Sequence, residues 1–190
     1  MALLPRRHEF DELLRLALPV VAVQVGMMLM GVVDTVMVGQ VSPEDLAGVA
    51  LGNIYFFASC IFGMGLLFSL DPVVSQAMGA GDRDAMARGV QRGLVMAFGL
   101  ALLASALLTL AGPVLTLLRQ PPEVVPLAAG YAWASIAGVL PFYGFLVLRQ
   151  TLQAQGTVLA IVVAMAVANV ANVGFNWVLV YGNLGLPELG

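Results

Sequence analysis

The chain has 190 residues, 61% of them hydrophobic and only 10% charged, whereas soluble domains carry about 45 to 50% apolar residues. Its formal net charge is −3 and its eight basic residues are all Arg, which excludes a nucleic-acid footprint or a basic surface stripe. A single Cys (Cys60) and a single His (His8) exclude a disulfide framework and a Cys/His metal centre. This is the composition of an all-α integral membrane protein.

Residues 1–15, MALLPRRHEFDELLR, are mixed in charge, and EFDELLRL has the spacing of a short amphipathic turn leading into the membrane. Glu9, Asp11 and Glu12 interrupt the basic region. The apolar run behind them exceeds the roughly 7 to 15 residues of a signal-peptide core, so this end reads as a retained anchor.

The first apolar run, Leu16 to Gln40, rises about 36 Å at roughly 1.5 Å per residue, enough to cross a hydrocarbon layer of about 30 Å. It carries one carboxylate, Asp34, in MGVVDTVMVGQ. A charge at that depth is costly, so it turns inward and is a functional-site candidate by default. Gln24, Met27, Gly31, Asp34 and Val38 share one helical face, a polar and small-residue stripe aimed at something other than lipid. The alternative is that Asp34, six residues from Gln40, reaches interfacial water. Pro19 has two readings as well, a bend in the first span or a proline tolerated in its first turns.

A short acidic turn at Ser42, Pro43, Glu44 and Asp45 follows, with Ser42 or Asp45 as helix cap. The second run spans 46–70 and ends at Asp71 and Pro72, and Ser75 to Arg92 reads as a loop with a polar helix start. Further runs cover 94–118, 125–148 and 157–181, each long enough to span. The tail 182–190, GNLGLPELG, reads as a Gly/Pro turn. With five spans, Arg6, Arg7, Arg15, Arg83, Arg88, Arg92 and Arg149 fall on one side and Arg119 alone on the other. The positive-inside rule then puts the amino terminus in the cytoplasm.

The fifth run holds Asn169, Asn172 and Asn176, spaced three and four apart on one face with Met165. The first and fifth spans run in the same direction. Asp34 lies about 27 Å above Leu16, and Asn172 and Asn176 lie roughly 22 and 28 Å above Thr157, so the carboxylate and two amides meet at one level. A carboxylate with amide oxygens is a hard-oxygen site suited to a small cation or a proton. The alternative is structural, since Asn on spanning helices also acts as interhelical glue, and Asn169 reads that way. Asp71 and Asp82 read as caps or solvated charges, and Pro141 as a hinge or a simple bend. There is no HExxH and no GxSxG, and one acid without a base or a metal set is poor equipment for hydrolysis, so no enzyme is expected.

In EFDELLRLALPV, MGVVDTVMVGQ, LDPVVSQAMGAGDRD (70–84), LPFYGFLVLRQTLQAQG (140–156) and NVGFNWVLVYGNLGLPELG (172–190) the chain resembles the amino-terminal half of multidrug and toxic compound extrusion (MATE) transporters, of the NorM-like bacterial kind. The resemblance implies a bacterial inner-membrane exporter of two six-helix lobes that expels cationic and amphipathic compounds in exchange for Na⁺ or H⁺. It implies that Asp34, Asn172 and Asn176 form the ion-coupling site, and hold Na⁺ where sodium is the coupling ion. Pro19 falls where the first helix bends, and Gln24, Met27, Gly31 and Asn169 are expected to line the cavity. Some relatives carry Asp where this chain has Asn176, which leaves a single formal negative charge here. The sixth helix and the carboxy-terminal lobe are expected as the missing partner, since alternating access needs two lobes. No cofactor beyond the coupling ion and no nucleic acid is expected. The rivals are a flippase of lipid-linked sugars, disfavoured because no Arg lies within the five spans as drawn, and a non-transporting membrane fragment with an assembly role.

Overall fold

The computed structural model describes residues 7–182, and among these the chain is helical throughout, with no strand. Seven helices follow in order: α1 (Arg7–Val38), α2 (Pro43–Phe68), α3 (Leu70–Gly79), α4 (Arg83–Thr109), α5 (Ala111–Leu117), α6 (Val125–Ala154) and α7 (Val158–Leu179). Five stretches are long and apolar enough to cross a membrane: Val20–Val38, Pro43–Gly79, Arg83–Thr109, Val125–Ala154 and Val158–Leu179. Their outward faces carry large exposed apolar side chains such as Val25, Leu29, Phe62, Val95, Leu102, Val163 and Val170, which is the surface a hydrocarbon solvent requires. The tail from 183 onward lies outside the described residues.

Two compact units divide the chain: residues 1–34 with 157–189, and 35–156. In the larger unit α6 is the central helix, touching α2, α3, α4 and α5. Lipid supplies no hydrophobic drive between helices, so close approach through small residues does the packing. The buried face of α4 is accordingly Gly89, Gly93, Ala97, Ala101 and Ala104, and that of α2 includes Gly48, Gly52, Cys60 and Gly63. At Gly48 an added Cβ would stand 2.5 Å from the Leu127 Cβ, and at Gly63 it would run into the Tyr143 hydroxyl. Glycine is therefore what lets α2 and α6 meet. The Tyr143 hydroxyl, fully buried, donates to the Cys60 carbonyl at 3.0 Å, and the Tyr55 hydroxyl donates to the Leu107 carbonyl at 2.8 Å, tying α2 to α6 and to α4.

Ser42 is the cap of α2: its Oγ accepts from the Asp45 N–H at 3.0 Å, with Pro43 in the first turn. Of the reading of 75–92 as a loop with a polar helix start, the helix start holds and the loop shrinks to a short turn. Helix α3 runs to Gly79, a turn with Gly81 at φ +69° reverses the chain, and α4 starts at Arg83 under an Asp82 cap. The cap is a bond from the Ala85 N–H to Asp82 Oδ1 at 2.8 Å. The polarity there belongs to the exposed faces of two helices, which meet through Val73 and Val74 against Gly89. The third apolar run is likewise two helices, broken at Leu110 (φ −90°, ψ 7°) before α5, a break that uniform hydropathy conceals. Helix α6 continues through Pro141, as α1 does through Pro19.

Candidate functional site

The smaller unit pairs α1 with α7. Low numbers on one meet low numbers on the other, Gly26 with Met165 and Asn169, then Asp34 with Asn172 and Asn176, so the two helices run parallel. Gly26 and Asp34 face α7, which presents Met165, Asn169, Asn172 and Asn176; Val23 on α1 and Ile161 on α7 are buried as well. The α7 positions recur every three to four residues and Gly26 and Asp34 lie eight apart on α1, so each set falls on one face of its helix. A Cβ on Gly26 would sit 3.4 Å from that of Met165, so the helices approach in ordinary van der Waals contact at this level.

Asn169 uses its Nδ2 twice, donating to the Gly26 carbonyl of α1 at 3.0 Å and to the Met165 carbonyl of its own helix at 2.9 Å. It clamps the pair and has no bond to the carboxylate. Further along α7, Asn172 Nδ2 donates to Asp34 Oδ1 at 2.8 Å and Asn176 Nδ2 donates to the same oxygen at 2.6 Å. Asp34, Asn172 and Asn176 are all half-buried. Both amides present N–H groups, the arrangement that stabilises an ionised carboxylate. Hydrogen bonds to a charged acceptor contribute about 1.5 to 3 kcal/mol each, comparable to the roughly 2.5 to 3.5 kcal/mol that an Asp costs at the centre of a spanning helix.

The two amides load one carboxylate oxygen and leave Oδ2 out of their bonds. The Asn172 Oδ1 is buried without a hydrogen-bond partner. A proton fits this geometry at Oδ2 with both amides as they stand. A Na⁺ ion requires oxygen rather than N–H donors, and a rotated Asn172 amide supplies one. The donor set thus fits either ion.

Of the other residues expected near the site, Met27 and Gly31 are half-buried on α1, whereas Gln24 is exposed. Of the stripe Gln24, Met27, Gly31, Asp34 and Val38, Asp34 meets α7, and Gly26 beside that stripe makes the close approach to Met165. The side chain of Pro19 lies outside the described ones. Gly26 was not singled out from the sequence. Its signal was a small residue two turns before an intramembrane carboxylate.

A family model described as MatE matches residues 19–178. The chain is 34% identical over 184 residues to a protein named multidrug resistance protein NorM from Photobacterium profundum, covering 97% of this chain and 40% of that protein. It is 34% identical over 183 residues to a multidrug resistance protein MdtK from Cronobacter sakazakii, and 35% identical over 183 residues to one from Klebsiella pneumoniae, covering 96% of this chain and 40% of the relative in both cases. The chain therefore spans about two-fifths of the length of the curated relatives it matches.

Proposed function

We propose, because this chain belongs to the MatE family, that it is part of a secondary active multidrug efflux antiporter, a multi-pass protein of the bacterial inner membrane and not an enzyme. The antiporter exports cationic or amphipathic compounds in exchange for H⁺ or Na⁺, with the remainder of the transporter as its partner. The amino terminus faces the cytoplasm, as the Arg distribution favours. One observation carries the reading: two amides of α7 converge on the lone carboxylate of the α1 span.

In this reading Asp34 binds the coupling ion and Asn172 and Asn176 hold its ionised form. Loading the ion removes the charge to which both N–H groups are directed and weakens the bonds that join α1 to α7. Such an exchange biases helix arrangement only to the extent that the ion binds one arrangement better than the other. The amides set that difference, since they stabilise the unloaded carboxylate. Asp34→Asn in the full-length transporter abolishes gradient-driven efflux of a fluorescent cation from vesicles, with imposed pH and Na⁺ gradients applied separately to identify the ion. Wild-type efflux and drug resistance by Asp34→Asn at equal expression would falsify the proposal.

A further inference from the structure

The larger unit carries a second polar feature that the proposed ion exchange does not use. At the carboxy-terminal end of α6 a cleft of about 200 Å³ is lined by Phe68, Asp71, Leu146, Arg149, Gln150 and Gln153. Gln150 is only 6% exposed, yet neither its Nε2 nor its Oε1 has a hydrogen-bond partner. An amide buried with both ends unmatched loses its hydration without replacement, and each such group in a native fold calls for an explanation. The cleft wall beside it offers one cation, Arg149, one exposed anion, Asp71, and a second amide, Gln153.

The dimensions and chemistry of this cleft narrow its occupant. It is smaller than the roughly 300 to 1,000 Å³ of sites for drug-sized molecules, so it does not hold a transported drug. A guanidinium and a carboxylate on one small cleft match a ligand with both charges, and an amide supplies one donor and one acceptor between them. The position supplies the source. Arg149, Gln150 and Gln153 lie in the last turns of the Val125–Ala154 stretch, towards the end where polar residues meet lipid headgroups. Phe68 on the cleft wall is 52% exposed and offers an apolar edge to a chain lying along the helices.

We propose that this cleft binds the phosphate-and-ammonium zwitterion of a phospholipid headgroup. The phosphate takes Arg149 and Gln150 Nε2, and the ammonium takes Asp71 and Gln150 Oε1. A purely anionic headgroup meets the same Arg149 but also the Asp71 carboxylate, which disfavours it.

The test is native mass spectrometry of the purified protein in micelles doped with phosphatidylethanolamine or phosphatidylglycerol. Retention of phosphatidylethanolamine at least tenfold above phosphatidylglycerol is expected, with Gln150→Leu removing most of it. Asp71→Asn alters an exposed side chain, and it reverses the preference towards phosphatidylglycerol. Free glycerophosphoethanolamine at millimolar concentration competes the lipid off if the headgroup is what is read. Equal retention of the two lipids, or retention indifferent to both substitutions, overturns the proposal. So does saturation by the soluble compound with no lipid retained, which assigns the cleft to a solute.

Discussion

Removing either amide from Asp34 tests whether α7 compensates the carboxylate of α1. The perturbation is a pair of double-mutant cycles, Asp34→Ala with Asn172→Ala and Asp34→Ala with Asn176→Ala. The bonds are 2.8 and 2.6 Å long and end on one oxygen. A charged acceptor makes each worth about 1.5 to 3 kcal/mol, whereas interhelical hydrogen bonds measured within membranes average about 0.6 kcal/mol. The acceptor is half-buried rather than enclosed, so solvent screening holds the expectation to the lower end, about 1.5 kcal/mol of coupling per amide. Because the donors share Oδ1, each substitutes in part for the other, and removing the second costs more than removing the first. The assay is reversible denaturation in mixed micelles, followed through the fluorescence of Trp177, which neighbours Asn176 on α7. Coupling below about 0.5 kcal/mol in both cycles, the level of an ordinary neutral pair, would refute the compensation argument and leave these amides as glue.

Other substitutions probe the packing that positions the site. Gly26→Ala is tolerated, since its methyl rests at contact distance from Met165, whereas Gly26→Leu forces α1 from α7 and lowers stability by about 1 to 3 kcal/mol; thermal unfolding of the two variants side by side shows the contrast. Gly63→Ala drives a methyl into the Tyr143 phenol and costs about 1 to 3 kcal/mol, and Tyr143→Leu relieves part of that loss in the double variant. Ser42→Ala removes the side-chain acceptor at the start of α2 and costs about 0.5 to 2 kcal/mol, which amide hydrogen exchange reports as faster opening of residues 44–46.

What the sequence disclosed followed from depth and periodicity. Counting rise along two spans of like direction brings Asp34, Asn172 and Asn176 to one level without any fold in hand, and the structure has them hydrogen bonded. Rotation about the helix axis is harder to read. A span rich in Gly and Met offers several small-residue faces, and only contact geometry shows that Gly26 lies against Met165. The same limit hides the break at Leu110 inside an apolar stretch and makes the helical residues 75–79 look like loop. Gln150 escaped notice for a further reason. In LRQTLQAQ it is one polar residue among several at the end of a span, and burial alone distinguishes it.

The uneven loading of Asp34 gives the carboxylate a closed side and an open side. With both N–H groups on Oδ1, the coupling ion of the proposed antiport would enter and leave at Oδ2 while α1 and α7 stay joined. In the antiport proposed above, a carboxylate engaged on one oxygen would pass an ion onward only as the helices around it move, which would tie turnover to helix rearrangement.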